Sequence, residues 1–83
     1  MAKSEVLYMD DRAYGTSTSL VAKEINLFNE AKLHACIDKD DYVVVKVHLG
    51  EWNNTNYLRP VYVRAMVDKI KELGGRPFVV ETT

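Results

Sequence analysis

The run Tyr42-Val43-Val44-Val45-Lys46-Val47-His48-Leu49 has four valines in eight positions. It is too short for a typical helix and too β-branched to favour one, so it reads as a buried strand. On its N-terminal side Asp38-Lys39-Asp40-Asp41 makes a charged turn. On its C-terminal side Gly50-Glu51-Trp52-Asn53-Asn54-Thr55-Asn56 is a loop by composition, with adjacent asparagines that tolerate turn conformations. Pro60 then suits the first turn of a helix, where its missing N–H costs nothing. Val63, Met66, Val67, Ile70 and Leu73 recur at helical spacing, and Gly74-Gly75 supplies a left-handed stop. Arg76-Pro77 leads into a further short strand, Phe78-Val79-Val80.

The same alternation extends upstream. Glu5 to Met9 is short, apolar and closed abruptly by Asp10-Asp11-Arg12, which predicts another strand with a polar end. The loop Ala13 to Ser19 offers hydroxyls at Ser17 to Ser19 for a helix N-cap. Leu20, Val21, Leu27, Phe28, Ala31 and Ala35 fall on one helical stripe, with an end expected near Ile37. Strands alternating with helices require crossover connections, so the fold class is α/β, with a three-stranded parallel sheet in β-α-β-α-β order. Parallel sheets are normally covered on both faces, and two helices do not readily cover both. Residues 1–83 are therefore expected to form a single N-terminal segment of a larger α/β domain, with more chain beyond Thr83.

Length and charge narrow the function classes. The 83 residues allow one small domain with a thin core, and the formal net charge of −1 comes with basic residues that form no run. That pattern argues against a nucleic-acid partner. No apolar stretch approaches the roughly 18 residues that indicate a membrane span, and the N-terminus has no secretory h-region. The cytoplasm is the expected compartment. Cys36 is the single cysteine, which excludes an internal disulfide and a cluster liganded by this chain alone.

In open parallel sheets the ligand crevice lies outside the carboxyl ends of the strands. The three expected strands end there in Asp10-Asp11-Arg12, in His48 followed by Gly50-Glu51, and in Glu81-Thr82-Thr83. Lys46 is unusual, because an ammonium within such a strand must be paired or solvated. It could hold a carboxylate or phosphate, or simply pair with Asp10 or Glu81. His48 shares its strand face, and with Glu51 could begin a general-base pair or a divalent-metal site, although two ligands at loose spacing more commonly mark a hydrogen-bonded structural histidine. Thr55 and Arg59 lie at a helix entrance whose free N–H groups favour an anion; an ordinary capped loop is the alternative. Trp52 and Tyr57 could stack on a ligand or pack onto a core. His34 reads as structural, and Glu24 as a point where the first helix emerges into solvent.

Lys46-Val-His-Leu-Gly-Glu51, Thr55, Tyr57-Leu-Arg-Pro60, Tyr62-Val-Arg64 and Leu73-Gly-Gly-Arg-Pro-Phe78 together resemble the N-terminal part of the family known as domain of unknown function 362. The resemblance covers Val43 to Thr83. It places the family's characteristic Lys, His, Gly and Glu on Lys46, His48, Gly50 and Glu51, and its Arg-Pro on Arg59 and Pro60. Glu81-Thr82 stands where the family typically has Asp-Thr, which keeps the charge and lengthens the side chain. Many members look like iron–sulfur proteins with ferredoxin-type motifs further along, so the resemblance implies that a cluster could belong to the full-length protein, with none in this chain.

Three readings follow. The first is an anion-binding segment of a larger α/β enzyme or redox protein, using Lys46, His48, Gly50, Glu51, Thr55, Arg59 and Glu81. The second is a segment that supports or docks a cluster-bearing region downstream. The third is a structural or subunit-contact module that self-associates or meets the rest of its own chain.

Overall fold

The computed structural model describes residues 3–81. Five residues of the valine-rich run, Tyr42–Lys46, form β1, and Arg76–Val80 form β2. The two strands run parallel, with Val43 opposite Pro77 and Val44 opposite Phe78. Between them lies α2, Pro60–Glu72, which begins with its proline in the first turn as the sequence predicts. Upstream, α1 spans Leu20–Glu30, and the Ser19 hydroxyl caps it by accepting from the Ala22 N–H.

The end of α2 closes by a Schellman arrangement. The Gly75 N–H donates to the Ile70 carbonyl and the Gly74 N–H to the Lys71 carbonyl, with Gly74 at φ 89°. The same turn is tied to the start of β1, because Asp40 N–H donates to the Gly74 carbonyl and Arg76 N–H to the Asp41 carbonyl. Ile37, Val43 and Ile70 meet around Gly75, where a Cβ would collide with Ile70 at 2.9 Å. Helix capping and strand register are thus set in one place.

The fold is mixed α/β with a two-stranded parallel sheet among the described residues, and the expected third strand is not formed. Residues 5–9 make no ladder with β1. They run beside α1, with Leu7 and Met9 lining a hollow with Leu27, Phe28 and Met66, while Val6 and Tyr8 are 87% and 85% exposed. The physical reason is at Lys23, whose ammonium engages both the Asp10 carboxylate and the Arg12 carbonyl and so holds the following loop against α1. That hydrogen bond also holds the Asp10 carboxyl below its usual range. The expected polar end of β2 at Thr82 and Thr83 lies outside the described residues.

The first helix also stops earlier than its stripe predicts. Ala31 is its C-cap, Lys32 turns left-handed at φ 59°, and Leu33–Cys36 continue as a 3-10 turn. The break redirects the chain so that Ile37 reaches the underside of β1. Ala31 and Ala35, expected on the buried stripe, are exposed instead.

Packing is one-sided. Helix α2 touches both strands and α1 packs on α2. Phe28 and Ile70 are the buried apolar side chains among the described residues. Two such side chains contribute only about 1.5–3 kcal/mol each. The radius of gyration is 14.5 Å, against about 12 Å for a compact domain of this length. The opposite face of the sheet presents Tyr42 and Val44, 68% and 63% exposed, with Phe78 beside them and its ring 5.5 Å from that of Tyr42. An open apolar sheet face favours association. Sedimentation should show the chain associating, with strong binding of a dye that reports exposed apolar surface, and the double substitution Val44→Lys, Phe78→Ser should reduce both. A monomer that binds no dye would contradict this account of the sheet face.

Candidate functional site

Strand β1 is regular through Lys46, and the ladder makes one further bond, Val47 N–H to the Val80 carbonyl. The next inward-turned donor, the N–H of Leu49, meets a side chain instead of backbone. It donates to the Glu81 carboxylate, which follows directly after β2. The other oxygen of Glu81 lies 3.6 Å from Lys46 Nζ and 3.6 Å from His48 Nδ1. Lys46 and His48 share one strand face, as their spacing of two predicts, and Glu81 gathers both. At 3.6 Å the histidine contact is an ion pair only when the imidazole is protonated and is too long for a hydrogen bond. All three groups are at least partly open to solvent, so each pairing contributes no more than about 1 kcal/mol.

Beside this cluster the loop between β1 and α2 folds back to make a recess. Lys46 and His48 line one side of it, and Asn54, Asn56, Tyr57 and Leu58 the other. Two local bonds shape the loop: Asn54 N–H donates to the Glu51 carbonyl, and Asn56 N–H to the Asn54 side chain in an Asx-turn. Gly50 is where the chain leaves the strand. Its φ of 95° disfavours any side chain, and a Cβ there would sit 2.9 Å from the Tyr57 ring. The glycine therefore allows the aromatic wall of the recess to close over the backbone.

Glu51, Thr55 and Arg59 are exposed and do not line this recess. Arg59 is the N-cap residue of α2 but makes no side-chain capping bond. The structure thus brings Lys46, His48 and Glu81 together, with Gly50 as the hinge, and leaves the other three on the outer loop. Asn54 and Asn56 enter the lining without having been singled out as ligand groups. Their signal lay in the Asx-turn chemistry of Asn53-Asn54-Thr55-Asn56, which identifies a turn and leaves open what the amides face.

Donor sets for a metal are poor. Among the described residues no three His, Cys, Asp or Glu side chains gather closely enough to hold an ion. Cys36 is exposed on the turn after α1. An iron–sulfur cluster does not fit a single thiolate, and any such cluster would need ligands from elsewhere. No described helix is long and apolar enough to cross a membrane.

A second acid stands nearby. Glu24 on α1 has one carboxyl oxygen closed off from solvent without a hydrogen-bond partner, and burial raises its pKa above the ordinary glutamate range. In the sequence it falls within the apolar stripe of α1, which reads equally as a helix face emerging into water. What the stripe does not reveal is that Met9, Leu58 and Tyr62, from three other segments, close around it.

Residues 43–83 match the model of the family described as Domain of unknown function (DUF362). These are the residues on which the resemblance rests, and they comprise nearly all of β1, the recess-forming loop, α2 and β2. No curated protein and no solved structure matches the chain.

The raised pKa of Glu24 has a defined sign in a stability profile. The fold favours its protonated form, so this contribution is fully present below the ordinary glutamate value of about 4.3 and is lost as pH rises through the raised value. Urea unfolding between about pH 4 and about pH 7 should show the wild type losing stability relative to Glu24→Gln as pH rises, with the difference levelling once the carboxyl is ionised. A difference that does not change with pH would contradict the burial of this group.

Proposed function

We propose that this chain is a ligand-binding segment of a larger α/β enzyme or redox protein, and that its carboxyl edge takes a small anion of the phosphate or carboxylate class. One observation carries the reading: the Lys46 ammonium and the His48 imidazole line a recess whose opposite wall offers the amides of Asn54 and Asn56. An anion there would accept from the ammonium, from an imidazole N–H and from neutral amide donors. Glu81 acts as a resident counter-ion that an incoming anion displaces from Lys46, so affinity is modest and weakened by salt. Exposed Arg59 and Thr55, with Glu51, would close over the ligand only if the loop moved inward. The location at the ends of parallel strands supports the reading, because ligand sites of open α/β sheets collect there.

In the larger protein this reading keeps residues 5–9 as a third strand, giving β-α-β-α-β order. Support comes from their alternation, with Val6 and Tyr8 open and Met9 turned toward α1. The cytoplasm remains the compartment we assign, on the exposed unpaired Cys36. A second reading, a contact module that meets another part of its own protein or docks a cluster-bearing region downstream, is favoured by the open face of Tyr42, Val44 and Phe78.

Phosphate titration of the full chain, followed by amide shifts, tests the anion site. Shifts should concentrate between Lys46 and Leu58 and fade with added salt. Lys46→Met should abolish them. Glu81→Gln, which keeps an acceptor for the Leu49 N–H but removes the competing charge, should tighten binding by roughly fivefold, the equivalent of about 1 kcal/mol. Shifts spread evenly over the surface, or unchanged in Lys46→Met, would overturn the proposal.

A further inference from the structure

The recess beside Lys46 and His48 is larger and less polar than an inorganic anion needs. It offers about 600 Å³, within the range of about 300–1,000 Å³ typical of sites for small organic molecules. A phosphate ion is a single tetrahedral group and would occupy only part of that space. Besides Lys46, His48, Asn54 and Asn56, the lining consists of Val47, Tyr57 and Leu58, and more of its surface is apolar than polar. The polar groups reach solvent, and Tyr57 and Leu58 remain 45% and 55% exposed despite their large apolar surfaces. Two local contacts fix what the loop presents. The Oδ1 of Asn54 accepts from the Asn56 N–H at 2.9 Å, which leaves Nδ2 as the donor that Asn54 can offer a ligand. One edge of the Tyr57 ring rests where a Gly50 Cβ would stand, so the ring is held at the strand exit with the rest of its surface open.

Resting on the anion reading above, we propose that the recess takes a phosphate monoester whose body is a flat aromatic ring. Three donors, the Lys46 ammonium, an imidazole N–H of His48 and Asn54 Nδ2, match the three terminal oxygens of such an ester, and its fourth oxygen leads to the body. The ring lies against Tyr57 and Leu58, where offset or edge-to-face contact with Tyr57 adds to the burial of apolar surface. Solvent-exposed ion pairs give little affinity by themselves. The aromatic wall therefore supplies much of the binding and the choice of body, while the strand end supplies the choice of charge.

Phenyl phosphate and methyl phosphate, alike in charge and different in body, test this on the full chain at neutral pH, with inorganic phosphate alongside. Phenyl phosphate should bind roughly tenfold more tightly than methyl phosphate, and its ring protons should show nuclear Overhauser contacts to Tyr57 and Leu58. Tyr57→Ala should narrow the gap between the esters to less than about threefold, while Tyr57→Phe preserves it. Equal affinity for the two esters, with inorganic phosphate still shifting the amides between Lys46 and Leu58, would overturn the aromatic body and leave the anion reading standing. No response to any of the three would overturn both. Because the comparison of esters uses the wild-type chain, it decides the matter even if Tyr57→Ala folds poorly.

Discussion

The carboxylate of Glu81 is the group on which the candidate site depends. A two-stranded parallel sheet runs out of backbone partners where β2 ends, and at that point one side chain takes over by accepting from the Leu49 N–H. Its second oxygen then draws Lys46 and His48 to the same place. Continuation of the strand and collection of the charges are consequences of one residue's position.

Lys46 pairs with Glu81. In the proposed site the weakness of a solvent-exposed ion pair would leave the lysine available to a competing anion. The Gly50 hinge and the Asx-turn at Asn54 matter because they turn the loop back over the strand end. Without that return Lys46 and His48 would lack the facing wall of Asn54 and Asn56. On the other side of Leu58, Glu24 of α1 lies at a second hollow whose walls are largely apolar.

What could be read from the residues was the part governed by local chemistry. Three valines in β1, Pro60 at the first turn of α2, the left-handed Gly74 and the serine cap of α1 each act through backbone preferences that need no distant partner. The Lys46 and His48 face followed from strand periodicity alone. Tertiary choices were less legible. The apolar residues 5–9 suit a strand by composition, yet the Lys23 clamp on Asp10 and Arg12 holds the adjoining loop to α1. The stripe of α1 continues to Ala35 in sequence, but the chain must turn at Lys32 for Ile37 to reach Val43. Glu24 was unreadable for a similar reason, since its burial is made by residues far away along the chain.

Amide hydrogen exchange at Leu49, compared between wild type and Glu81→Ala, tests the central claim most directly. If Glu81 completes the strand, Leu49 is protected in the wild type and loses protection in Glu81→Ala, while Val44 and Val45, held by the backbone ladder, keep theirs. A Leu49 amide that exchanges freely in the wild type, or stays equally protected without the carboxylate, would contradict the account.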